Sequence, residues 1–183
     1  MRTIKSLLYP FFPSSSARFH AKRRKGLLYR HVDPGVLECQ RDQDRIFWQR
    51  FLHPEKGGKF LEIGAGDGVV GSHTLGLELL HPWQGALLEP HELPRMRAAK
   101  ARKCPVWSDE KKPYFSEPIE LLAIHRPSEF PSVWTQLREG RLKPGWVVVE
   151  NRDPDPHWCR LLEGSGYRLK FFFHDDEYFE LKP

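Results

Sequence analysis

Apolar and polar positions along this chain change period from block to block. In "DQDRIFWQRFL", residues 42 to 52, apolar side chains fall at 46, 47, 48, 51 and 52, the spacing of one helical face. "GKFLEIG" then turns short and almost wholly apolar, which predicts a strand. "SHTLGLELLH" predicts a helix with Ser72 as its N-cap. "GALLEP" reads as a second strand, "ELPRMRAAKARK" as a basic helix with Pro94 near its start, "CPVWS" as a third strand and "IELLAIH" as a fourth. "SEFPSVWTQLREG" predicts a helix opened by Ser128, and "GWVVVEN" a fifth strand. "DPHWCRLLEGSG" predicts a helix closed by glycine. "YRLKFFFH" and "DEYFELKP" predict a hairpin around "HDD". No helix is predicted between strands three and four, because "DEKKPYFSEP" is short and bounded by proline.

Strands that are apolar throughout are buried on both faces. Alternation of such strands with helices therefore predicts an α/β, doubly wound, mostly parallel seven-stranded sheet with a C-terminal antiparallel hairpin. At 183 residues the chain suffices for one domain with a sizeable core, and no apolar run approaches the roughly 20 residues of a membrane span.

Charge divides the chain in two. Residues 1 to 32 hold eight Lys or Arg and no acid, whereas residues 33 to 183 hold 21 bases and 24 acids, a net of −3. The expected organisation is a basic N-terminal appendage over 1–32 and a folded domain over 33–183. A net acidic body disfavours nucleic acid as a partner. "IKSLLYPFF" inside the appendage is broken by Pro10 and Pro13, unlike a secretory signal. Next to the bases it suggests peripheral contact with an anionic membrane surface, the alternative being a segment that packs on the domain or stays unfolded. Cys39, Cys104 and Cys159 are widely spaced and odd in number, which argues against a disulfide framework and for a cytoplasmic setting. His31, His73, His157 and His174 show no metal-ligand spacing, so no metal is expected.

The candidate chemistry sits in "FLEIGAGDGVV", residues 60 to 70. Gly64, Gly66 and Gly68 follow the first strand, where a parallel sheet binds its ligands, and they let the chain turn tightly against one. Glu89 ends the second strand 21 positions after Gly68, the placement of an acid that accepts hydrogen bonds from ribose hydroxyls. The dinucleotide fingerprint needs a third glycine where Val69 stands, and a pyrophosphate is repelled by Glu62 and Asp67. Acids beside the loop suit instead the sulfonium and ammonium of S-adenosylmethionine. A dinucleotide loop and a tight turn with no ligand are the competing readings.

These motifs resemble the FkbM-type methyltransferases, a class I S-adenosylmethionine family with a Rossmann-like fold. "CQRDQDRIF" (39 to 47) resembles that family's "SQ-x-x-x-DR", with Cys39 for serine, and "KFLEIGAGDGVVGSHTLGLE" (59 to 78) its "F-V-D-I-G-A-x-D-G-x-x-x-S-N-T-x-x-L-E", with His73 for asparagine. "WQGALLEPHEL" (83 to 93) is similar to "W-x-G-x-x-I-E-P-x-P". The resemblance spans about residues 38 to 181 and is specific from 59 to 92. It implies that Glu62, Gly64, Ala65, Gly66 and Asp67 surround the methionine part of the cofactor, that Ser72 and Thr74 line the same end, that Glu89 holds the ribose, and that Ser108 and Asp109 lie near the adenine. It further implies O-methylation of a small hydroxylated acceptor, a sugar or a lipid-linked sugar. One departure is large: "IELLAIHRPSEF" has His125 and Pro127 where the family has acids after strand four, and Ser128 for its glycine. A non-catalytic S-adenosylmethionine-binding or interaction module is therefore the alternative.

His125 ends strand four, and an imidazole with an ordinary pKa of about 6.5 suits a general base at neutral pH. A histidine satisfied within the fold is the competing reading. Glu150 and Asn151 end strand five at the same rim, either to bind acceptor hydroxyls or to cap the next helix.

Overall fold

The computed structural model describes residues 47–108, 118–150, 156–173 and 175–183. Residues 1–32, the boundary at 33, Cys39, Asp109 and Asn151 lie outside the described residues. Chain order is β1 (Gly58–Ile63), α1 (Leu75–Leu80), β2 (Trp83–Leu88), α2 (Glu92–Ala101), β3 (Val106–Trp107), β4 (Leu121–Ile124), α3 (Pro131–Arg138), β5 (Trp146–Glu150), α4 (Pro156–Gly164), β6 (Tyr167–Phe173) and β7 (Asp176–Leu181). The seven strands form one sheet in the order β3-β2-β1-β4-β5-β7-β6. All pairs are parallel except those of β7, which runs antiparallel to β5 and β6. The predicted sheet and terminal hairpin are thus present. Among the described residues no helix is long and apolar enough to cross a membrane.

Three local expectations shift, each for a backbone reason. The described part of the predicted helix before β1 is wound as a π-helix over Trp48–Leu52, ending at His53 with φ 50°. α1 begins at Leu75, not beside Ser72, but the Ser72 hydroxyl still accepts hydrogen bonds from the Thr74 and Leu75 N–H groups. Ser128 does not open α3. It lies in a 3₁₀ turn over Pro127–Glu129, and α3 starts at Pro131, since a proline bars helix for the residue before it and fits the first helical position.

Each face of the sheet packs its own core, and strand periodicity assigns the side chains. Leu61 and Ile63 of β1, Leu122 and Ile124 of β4 and Val147 and Val149 of β5 face α3 and α4, beside Trp134 and Leu162. Phe60, Leu121, Trp146 and Val148 point the other way, among Phe47, Trp48, Leu77 and Tyr178. Register then decides what ends that second face. Ile63 pairs with both Leu88 and Ile124, and Ile124 with Val149, so Gly64, Glu89, His125 and Glu150 reach one rim together. Two-residue periodicity carries Glu62, His125 and Glu150 to the same face as Phe60, Leu121 and Trp146. Three buried ionisable groups therefore replace hydrocarbon at the carboxyl end of that core.

Candidate active site

The rim holds the turning point of the sheet, where β1 has β2 on one side and β4 on the other and ligands bind in doubly wound folds. Gly64 and Ala65 donate to the Leu88 carbonyl, fastening the glycine loop to β2. The three glycines serve different ends. A Cβ on Gly64, at φ 72°, would sit 2.7 Å from the His125 carbonyl oxygen, and one on Gly68 would press on Arg102, Ala98 and Leu87. A Cβ on Gly66, at φ 59°, would meet no atom within 4 Å. Gly64 and Gly68 are bare to let the protein pack; Gly66 is bare toward open space. Asp67 turns the loop by accepting from the Val69 and Val70 N–H groups through Oδ1.

Beneath Gly66 lies Glu89, fully buried. Its Oε2 accepts from Gly66 N at 2.8 Å and from Arg126 Nη2 at 2.7 Å, and its Oε1 from His91 N at 2.9 Å. Ser108, just past β3, is exposed at the same end of the sheet.

The β1–β4–β5 side differs. Glu62 has no exposed surface and accepts from Ser72 Oγ, Thr74 Oγ1, the His73 N–H and His125 Nε2. His125 Nδ1 reaches Glu150 Oε2, and both of its ring contacts measure 2.9 Å. His73 stacks on the His125 ring with centroids 4.9 Å apart, and its Nε2 stands 3.8 Å from Asp176 Oδ1. Arg102, also buried, donates to Ser72 Oγ, Thr74 Oγ1 and the Gly68 carbonyl, pairs with Glu78, and lies 3.6 Å from Glu62. One cation thus ties the glycine loop, the β1–α1 turn and the end of α2 together.

These contacts set the protonation states. Burial disfavours charge on Glu62, but the His125 hydrogen bond and the charges of His125 and Arg102 outweigh it and hold the carboxyl well below the usual range. Burial likewise disfavours the imidazolium of His125, and the hydrogen bonds to Glu150 and Glu62 overcome it, raising the pKa from 6.5 to about 9. His125 is therefore an imidazolium at neutral pH with both N–H groups given to carboxylates. With both ring nitrogens held by carboxylates it has no lone pair to take a proton, which weighs for the histidine satisfied within the fold and against the general base. Glu150 gives its Oε2 to this pair. Ser72 and Thr74 likewise direct their hydroxyls to Glu62. The Cys104 thiol, partly buried beside Glu78, is pushed up to about 12 mainly by burial, which disfavours the thiolate.

Sequence reasoning singled out Glu62, Gly66 and Glu89, which the fold brings to this rim, and did not single out Arg102, Glu78 or Arg126. Glu78 closes the quoted "T-x-x-L-E" run, so a signal for it existed. No spacing signal marks Arg102 or Arg126. An open groove of about 460 Å³ between Lys56–Lys59, Pro82 and Glu120 lies at the amino ends of β1 and β2, away from the rim where such sheets bind ligands.

No protein-family model and no curated protein matches the sequence. Solved structures do resemble the fold. A ribosomal protein L11 methylase from Lactobacillus delbrueckii subsp. bulgaricus superposes with a TM-score of 0.57 at 10% identity, over 76% of this chain and 77% of that one. A putative RNA methyltransferase from Pyrococcus horikoshii gives 0.56 at 12% identity over 85% and 92%. A SAM-dependent methyltransferase from Thiobacillus denitrificans, in complex with S-adenosyl-L-homocysteine, gives 0.50 at 13% identity over 78% and 68%. The chain has the class I methyltransferase, Rossmann-like fold.

Proposed function

We propose that this protein binds S-adenosylmethionine and transfers its methyl group to a small hydroxylated acceptor, a sugar or lipid-linked sugar, as an FkbM-type methyltransferase. The observation that carries the reading is Gly66: a left-handed glycine with open space above it, beside the buried Glu89 carboxylate, at the turning point of this sheet. The sugar acceptor and the FkbM assignment rest on the motifs at residues 59 to 92.

When bound, the cofactor supplies an electrophilic methyl group on positively charged sulfur. The chain's part is alignment, which alone lowers such barriers by roughly 7–11 kcal/mol. Gly66 offers backbone without a side chain, Glu89 the acceptor for ribose hydroxyls, and the Glu62–His125–Glu150 chain a hydrogen-bonded wall beside them. Ser108 and Asp109 would stand near the adenine. With His125 already protonated, the acceptor's proton leaves to water or to a group on the acceptor itself.

The same locked histidine favours a second reading, a non-catalytic S-adenosylmethionine-binding module. Calorimetry with S-adenosylhomocysteine, followed by single-turnover methyl transfer to pooled sugar and glycolipid acceptors, separates the two. Heat without transfer selects the module, and no heat on folded protein removes both. We also propose that residues 1 to 32 hold the protein at an anionic membrane surface from the cytoplasmic side, each base adding about 1 kcal/mol at most. The full chain should pellet with anionic vesicles at low salt and a chain starting at Asp33 should not; equal behaviour removes the anchor.

A further inference from the structure

Glu89 is the acid to which the sequence assigns the ribose, and its carboxylate is nearly full. A carboxylate accepts at about four lone-pair positions. Oε2 already receives Gly66 N and Arg126 Nη2, and Oε1 receives His91 N. A vicinal diol needs two acceptor positions. The backbone donors belong to the loop fold, so the guanidinium is the group that has to leave. Arg126 is built to be there and able to go. It directly follows His125 in a left-handed conformation at φ 50°, which turns its side chain back across the rim. Its side chain is 36% exposed, whereas that of Glu89 is 0%. Its Nη1 already stands 3.1 Å from Glu129 Oε2, on an exposed turn outside the pocket. Glu129 provides a second seat for the same cation.

We propose that Arg126 is an internal competitor for the ribose seat: its guanidinium closes the Glu89 carboxylate in the free protein, and a nucleoside binds by displacing it onto Glu129. The inference rests on the cofactor reading above and deepens it, because it names the residue that sets nucleoside affinity. Displacement exchanges one charge-assisted hydrogen bond for another, so a ribose gains less from Glu89 than the buried acid would otherwise give. Selection follows as well. A ligand with no ribose hydroxyl has nothing to put in place of the guanidinium, so it gains nothing by opening the pair.

The test measures S-adenosylhomocysteine, adenosine and 2′,3′-dideoxyadenosine by calorimetry on the full chain and on Arg126→Asn. Asparagine tolerates the left-handed backbone and is too short to reach Glu89; Arg126→Gln is read in the same way if the first variant does not fold. The expected result is a gain of roughly tenfold for S-adenosylhomocysteine and adenosine and no gain for the dideoxy ligand. Wild-type binding with unchanged or weaker binding in the variant overturns the competitor and leaves the cofactor reading intact. An equal gain for the dideoxy ligand also overturns it, since the diol would then play no part. No binding of any ligand by either folded protein overturns the cofactor reading itself and the competitor with it.

Discussion

The two halves of the rim are built from the same materials and do opposite things. On the β1–β2 side, Gly66 looks onto open space and Glu89 meets one cation that is partly exposed. On the β1–β4–β5 side, Glu62, His125 and Glu150 are all buried and are joined to one another through both ring nitrogens of the histidine. The difference is whether an acid's partners come from the fold or can be replaced from outside. Glu62 receives donors from β4 and from consecutive residues of the β1–α1 turn, which move only if the fold opens. Arg126 hangs from a short turn with a second acid in reach. Carboxylates of equal burial can thus be structural or available.

Breaking the closed half should cost the most. Glu62→Ala leaves the charges of His125 and Arg102 buried without their shared partner, and chemical denaturation should show a loss of about 3–5 kcal/mol. A loss below about 1 kcal/mol would mean the cluster is solvated. Next is pH. The pKa of His125 is raised by folding, so its contribution is complete below pH about 6.5 and disappears as the pH rises through about 9. Wild-type stability should fall by about 3 kcal/mol across that window, and His125→Gln should abolish the slope. A flat wild-type profile would show that the imidazole is neutral when folded.

The open half is tested by ligand affinity rather than stability. Glu89→Ala should weaken nucleoside binding by about 1.5–3 kcal/mol in the Arg126→Asn background, and by less when Arg126 is present, as calorimetry of the four proteins would measure. The smallest change in stability belongs to Gly66→Ala, about 1–2 kcal/mol for the left-handed backbone, with loss of S-adenosylhomocysteine binding. Gly64→Ala sharpens the contrast: its Cβ meets the His125 carbonyl at 2.7 Å, so thermal melts should show a far larger drop.

Sequence periodicity by itself determined the parallel sheet, its hairpin, the bare loop and the acid after β2, because each depends on the spacing of neighbouring residues. Even the face shared by Glu62, His125 and Glu150 follows from two-residue alternation once the strands are paired. The charge state of His125 did not follow. An isolated imidazole titrates near 6.5, and only the meeting of β1, β4 and β5 puts a carboxylate on each nitrogen. Arg102 and Arg126 were illegible for the same reason. The spacing around a lone guanidinium does not show its partner, and what these two neutralise lies 24 to 40 residues away along the chain, at Glu78, Glu62 and Glu89. Local spacing encodes the elements; hydrogen-bond donors converging from distant strands decide which acid is closed and which can take a ligand.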